Sequence, residues 1–236
     1  MRVVFVHGAC VKDGAWWWHR TDELLREHGI TSAAALMPSC GETGVPGGAN
    51  GLGLSEDVAA VRQLLLDDDE PTIVVGHSYG GIVASQAAAG ISLVRHLLYI
   101  SSYLPEIGQS LSDFGGEDGP APFLDLNPQD GTFGVRPELL ADTFLQDCGP
   151  AIREEAQQHL TRQSMHVLAQ GVDAAAWHDV PSTYLVCTDD RGTPVASQRE
   201  FARRAGGVVE LNSGHHPFLS HPEAVRDLVL SLRSDT

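Results

Sequence analysis

Thr72-Ile73-Val74-Val75-Gly76-His77-Ser78-Tyr79-Gly80-Gly81-Ile82-Val83-Ala84 is the stretch on which the fold turns. Its first four residues are an apolar, largely β-branched run of strand length, bracketed by Pro71 and Gly76. Residues 78–89 are small and apolar, which suits a buried helix. Between the two lies Gly76-x-Ser78-x-Gly80, and the spacing has a steric cause. A strand that becomes a helix over so few residues strains its central residue and brings neighbouring chain close. The positions two before and two after must therefore lack side chains. Such a turn lifts the Ser78 hydroxyl clear of the sheet and aims the N–H groups of the helix start at any charge that develops there. A bare G-x-S-x-G arises by chance fairly often; one bracketed by strand and helix is far more specific.

Outward from this turn, β-branched runs alternate with longer helical stretches, the signature of strand–helix units around a parallel sheet. Upstream, residues 3–6 read as the first strand, 16–28 as a helix ended by Gly29, and 31–37 as a second strand stopped by Pro38. Residues 55–66 have helical periodicity, with Ser55 as N-cap. The glycine-rich stretch 41–53 reads as a flexible connection, because no G-K-[ST] follows to make a phosphate cradle. Downstream, 95–100 is the next strand. Periodicity then weakens from about 103 to 177, where Pro, Gly and Asp abound and helical pieces show at 137–145 and 152–168. That is too long for a plain connection, and inserts of this kind are lids or binding elements. Alternation resumes with strand 183–187, helix 195–204, strand 208–211 and helix 222–232. The expected fold class is α/β: a mostly parallel sheet of about six strands flanked by helices. Residues 1–103 and 178–236 form this core, with a mainly helical cap inserted at 104–177.

A serine hydroxyl is a weak nucleophile and needs a base. Where the nucleophile sits on such a turn, an acid and then a histidine follow in the chain, each on a loop after a strand. Asp189 and Asp190 follow the strand at 183–187, and His215 and His216 follow the strand at 208–211. Order and placement agree for either member of each pair. Acyl transfer also needs donors for an oxyanion: the N–H of Tyr79 and one from the loop His7-Gly8-Ala9-Cys10. His7 and His77 read as structural, each held in a turn. Lys12, the only lysine, reads as an exposed loop residue.

Composition removes other classes. The chain has 236 residues and a formal net charge of -16, which repels phosphate backbones and anionic lipid heads. Nucleic acid and membrane are therefore not expected partners, whereas a small-molecule ester substrate is; a homodimer is compatible with the sequence. The four cysteines, Cys10, Cys40, Cys148 and Cys187, are scattered without a C-x-x-C pair and read as free thiols. Neither metal nor cofactor is expected. Residues 2–6 are strand-like rather than the start of a signal peptide, so the cytoplasm is the expected compartment.

His7-Gly8-Ala9-Cys10, the Trp16–Trp18 cluster, Gly76-His77-Ser78-Tyr79-Gly80-Gly81, Cys187-Thr188-Asp189-Asp190 and Gly214-His215 together resemble one branch of the α/β-hydrolase superfamily. That branch holds plant methylesterases, hydroxynitrile lyases and small bacterial esterases. The likeness runs from the first strand to the last helix and is weakest in the cap. It implies Ser78 as nucleophile, His215 as base, Asp190 as orienting acid, and Ala9 and Tyr79 as oxyanion donors, with Asp189 and His216 as the runners-up. It implies a carboxylic ester hydrolase; a lactonase, a thioesterase, a lyase or a ligand-binding sensor are the alternatives. The lyases carry threonine where this chain has Gly8, and lysine where it has His216, which argues for ester hydrolysis.

Overall fold

The computed structural model describes residues 1–115 and 119–233. In chain order the first half comprises β1 (Arg2–Val6), α1 (Gly14–Glu27), β2 (Thr31–Ala34), α2 (Leu54–Leu66), β3 (Thr72–His77), α3 (Gly80–Ala87) and β4 (Val94–Ile100). A long excursion carries β5 (Leu124–Asn127), β6 (Thr132–Val135), α4 (Pro137–Phe144), α5 (Pro150–Ala156), β7 (Gln163–Ser164) and α6 (His166–Ala169). The chain closes with β8 (Ser182–Cys187), α7 (Val195–Ala202), β9 (Gly207–Leu211), α8 (Pro217–Ser220) and α9 (Pro222–Leu232).

The main sheet has six strands in the order β2-β1-β3-β4-β8-β9, every neighbouring pair parallel. Its inner strands β1, β3 and β8 are buried along their whole length, as continuous apolar runs require. Alternation along each strand divides the core in two. Val4, Val6, Val74 and Tyr99 face Val58, Val61, Ile82 and Phe201 of α2, α3 and α7. Val3, Phe5, Ile73 and Val75 face Trp17, Trp18, Val225 and Val229 of α1 and α9. Trp18 stacks on Phe5 with ring centroids 4.4 Å apart.

From β1 the chain steps outward to β2 and then back across to β3, so the direction of winding reverses between β1 and β3. In open α/β sheets ligands bind at such a reversal, outside the carboxyl ends of the strands. The loops after β1, β3, β4, β8 and β9 all open on this edge.

Several elements depart from the sequence expectation: helix α2 begins at Leu54 with Gly53, not Ser55, at its N-cap, and three departures are larger. Strand β2 ends at Ala34 rather than 37, because Pro38 opens a short 3-10 turn, Pro38–Cys40. Helix α3 starts at Gly80 rather than 78, because Ser78 is left-handed, with φ of 51°. The helical run expected over 152–168 stops at Ala156; after a 3-10 turn, residues 163–164 pair with β6 instead. The excursion thus contains a three-stranded antiparallel sheet, β5-β6-β7, that periodicity did not reveal. Val11 bridges Leu160 in antiparallel fashion and docks this region onto the loop after β1. Tertiary pairing outweighs helix propensity in so short a segment. No described helix is long and apolar enough to cross a membrane.

Candidate active site

The turn between β3 and α3 has no room for side chains at its glycines. A Cβ on Gly80 would lie 2.2 Å from the Val6 carbonyl oxygen, and one on Gly76 2.8 Å from the Gly81 Cα. Close approach of β1 to the helix start therefore demands glycine at 80. Ser78, half-buried, is held by its backbone: its N–H donates to the Ile100 carbonyl at 3.3 Å, and its carbonyl accepts from the Ser102 hydroxyl at 2.6 Å.

Asp190 and His215 arrive from the next two strand ends and meet. The His215 Nδ1–H donates to Asp190 Oδ2 at 2.8 Å, with the residues 4% and 7% exposed, so the pair is shielded from water. Asp190 Oδ1 accepts the N–H groups of Gly192 (2.7 Å) and Thr193 (3.0 Å), and Oδ2 also accepts Gln198 Nε2 (2.9 Å) and the Ser101 hydroxyl. Burial pushes this carboxyl upward, but His215 and these donors outweigh it and hold it below the usual carboxylate range. With Nδ1 committed to Asp190, Nε2 is the His215 nitrogen left for chemistry. The His215 carbonyl accepts His77 Nε2–H at 2.9 Å, tying it to the residue just before Ser78. Among the described residues no hydrogen bond joins the Ser78 hydroxyl to His215; such bonds are often long before substrate binds.

The runners-up lie elsewhere. Asp189 is exposed, and among the described residues its hydrogen bonds are made by its backbone, with Ser213 and Gln146. His216 is buried beside Trp17, donates Nδ1–H to the Phe144 carbonyl at 3.0 Å, and is pushed down to about 3 by burial, with His215 adding to the effect. It stays neutral. His77 is likewise lowered by burial and then by His215 and His216. His77, His215 and His216 present nitrogens within 4.8 Å of one another, the one potential metal-holding group among the described residues. Each ring has a nitrogen committed to a protein acceptor, which accounts for the grouping without an ion.

Tyr79 directly follows Ser78 in the elbow, and Ala9 lies in the loop after β1. A Cβ on Gly8 would lie 3.1 Å from the Ser78 Cβ, so the loop after β1 presses directly on the elbow. The Gly8 carbonyl accepts His7 Nδ1–H at 2.8 Å. In a trans peptide the N–H points opposite to the C=O, so this bond turns the Ala9 N–H away from His7. Neither the Ala9 nor the Tyr79 N–H meets a protein acceptor among the described residues. Beside His215 the wall is aromatic: Phe144 lies 5.0 Å from its ring and Phe123 lies 4.8 Å from Phe144.

Sequence reasoning missed two contributors. Ser101, at the end of β4, is left-handed with φ of 42°, and its hydroxyl contacts both Asp190 and, at 3.1 Å, His215 Nδ1. Glu42, in the glycine-rich stretch, accepts His7 Nε2–H at 2.8 Å, together with the N–H groups of Met37 and Asp13. Both nitrogens of His7 thus face acceptors, as an imidazolium requires. Burial opposes that charge, but Glu42 outweighs it and raises His7, while Glu42 itself is lowered.

This pair gives a signed pH dependence. His7, raised above its ordinary 6.5, contributes stability fully present below about pH 6.5 and lost as pH rises through its folded value. Glu42, lowered from 4.5, contributes stability present above about pH 4.5 and lost as pH falls through its folded value. In thermal melts from pH 4 to 9, the wild type should exceed Glu42→Gln most between about pH 4.5 and 6.5. An advantage of constant size across that range contradicts the pairing.

Comparison with known proteins identifies the family. The model of the alpha/beta hydrolase family matches residues 3–228. Alpha/beta hydrolase nvfD of Aspergillus novofumigatus is 28% identical over 186 residues, covering 72% of this chain and 74% of its own. Polyneuridine aldehyde esterase of Rauvolfia serpentina is 24% identical over 254 residues, covering 97% and 94%. Among solved structures, a pyrethroid hydrolase from Sphingobium faniae superposes with a TM-score of 0.82 at 21% identity, over 99% of this chain and 97% of that one. A match along nearly the whole chain, on a sheet that gathers these residues at one edge, means that the chain belongs to the alpha/beta hydrolase family.

Proposed function

We propose that the chain is a serine hydrolase that cleaves the carboxylic ester of a small or medium hydrophobic substrate through an acyl-enzyme on Ser78. The observation that carries this reading is the buried 2.8 Å bond from His215 to Asp190, beside an elbow that holds Ser78 left-handed. His215 Nε2 takes the Ser78 proton as the hydroxyl attacks the carbonyl carbon. The N–H groups of Ala9 and Tyr79 receive the oxyanion; removing one such donor typically costs about 2.7–4 kcal/mol in the transition state. Asp190 keeps the imidazole in the right tautomer and stabilises the imidazolium without taking the proton. His215 then protonates the leaving alcohol and activates a water that releases the acid.

The names of two of the proteins this chain resembles, polyneuridine aldehyde esterase and a pyrethroid hydrolase, support an ester. The aromatic wall of Phe123 and Phe144 suits an apolar acyl or alkyl group. We read residues 104–177 as a cap over a core of 1–103 and 178–236. Lactones and thioesters call for the same steps and are the alternatives within acyl transfer. Lyase chemistry is disfavoured: any side chain at Gly8 would crowd Ser78, and neutral His216 stands where a lysine would be needed.

A fluorophosphonate probe should label the peptide that contains Ser78, and p-nitrophenyl acetate and butyrate should turn over continuously. A burst without turnover points instead to a ligand-binding sensor. Labelling confined to other peptides overturns the assignment.

A further inference from the structure

The hydrolase chemistry uses the backbone N–H of Tyr79 and says nothing of its phenol. That phenol is buried, 1% exposed, and donates to Asp57 Oδ2 at 2.8 Å. Asp57, on α2, is fully buried, with no cation bonded to it among the described residues. It accepts instead the Ser39 hydroxyl (2.5 Å) and the Ser39 N–H (2.8 Å). The Ser39 oxygen accepts Gln163 Nε2–H at 2.8 Å, and Gln163 Oε1 accepts the Cys10 N–H at 2.9 Å. Ser39 and Gln163 are both 0% exposed, and Cys10 is 1% exposed and left-handed, with φ of 59°.

Every bond in this chain donates toward the Asp57 carboxylate. Its two ends are the phenol of one oxyanion residue and the peptide N–H immediately after the other, Ala9. Five residues from five separate segments meet in it: the loop after β1, the 3-10 turn after β2, α2, the elbow, and β7 of the excursion. A buried carboxylate is expensive unless several donors satisfy it, and a satisfied network fixes the groups that make it. Cys10 in its left-handed conformation also needs surrounding structure to hold it.

We infer that Asp57, Ser39 and Gln163 are positioning residues that set the two oxyanion donors at a fixed separation, with Gln163 tying that geometry to the docked β7. The inference rests on the serine hydrolase reading. Misplacing a reacting or stabilising group by about 1 Å can lower a rate by about 10²-fold. Loss of either link should therefore lower kcat and leave KM nearly alone, since substrate binding elsewhere is untouched.

Two near-isosteric variants test this: Gln163→Met, which breaks the cap-side link, and Tyr79→Phe, which breaks the elbow-side link and keeps the N–H. Each should lower kcat for p-nitrophenyl acetate by about 10-fold or more with KM within about twofold. A trifluoromethyl ketone, which forms an oxyanion on the serine, should weaken in proportion to kcat. Because both variants cut one chain, the double variant should lose far less than the product of the two single losses. Multiplicative losses, or kcat within about twofold of wild type in a folded Tyr79→Phe, overturn the proposal. Should Gln163→Met not fold, Tyr79→Phe, which removes a single oxygen, decides alone from kcat and ketone affinity. Wild-type labelling at Ser78 is read in parallel. Its absence sinks the serine reading itself, whereas labelling with unaffected variants sinks only the network.

Discussion

Asp190→Asn is expected to lower kcat by about 10⁴-fold while KM stays within a few-fold. The carboxylate accepts from five directions: Gly192 and Thr193 on one oxygen, and Gln198, Ser101 and His215 on the other. An asparagine has one acceptor oxygen and one donor nitrogen. With its oxygen toward the loop, its NH2 faces His215 Nδ1 and favours the tautomer that carries the proton on Nε2, which cannot take a proton from Ser78. With its oxygen toward His215, its NH2 faces two backbone N–H groups in a buried site, and a donor pair without an acceptor is costly. Both arrangements harm the base or its support. The control is Asp189→Asn, whose side chain is exposed and should leave kcat within about twofold, as surface substitutions usually do. A loss of less than about 10-fold in Asp190→Asn would remove Asp190 from the mechanism.

That control reflects what spacing left open. Two adjacent carboxylates after one strand are indistinguishable by order in the chain, and so are two adjacent histidines. What separates them is which side of the strand end each side chain leaves. Asp190 turns inward to the loop N–H groups, while Asp189 stays in solvent; His215 faces Asp190, while His216 packs on Trp17. The parallel sheet was legible because its strands are continuous β-branched runs, and the elbow because its glycines answer a steric demand. Periodicity is a local signal, so it missed whatever depends on partners far along the chain. Strand β7 exists because β6 is there to pair with it. Ser101 matters because Asp190 lies 89 positions on. Glu42 looked like part of a flexible connection, although its carboxylate holds the imidazole of His7. The helical periodicity of residues 55–66 likewise carries no mark of Asp57 being buried and bonded to the Tyr79 phenol.

Ser78→Ala should lower kcat by about 10⁴-fold or more, the larger of the two effects, and should abolish fluorophosphonate labelling at this site. The substitution removes one oxygen and keeps the Cβ, so the left-handed backbone and its bonds to Ile100 and Ser102 remain satisfied. Folding stability should consequently change little, and substrate should still bind, with KM within a few-fold. Residual turnover would come from the Ala9 and Tyr79 donors acting on a water, which in comparable sites still exceeds the uncatalysed rate by about 10³–10⁴-fold. Stability, binding and chemistry are thus expected to separate in one variant. A variant that kept more than about a tenth of wild-type kcat would mean that the carbonyl is attacked by something other than this hydroxyl. The Asp190–His215 pair would then have to serve a water or another nucleophile, and the family membership of the chain would stand without the acyl-enzyme.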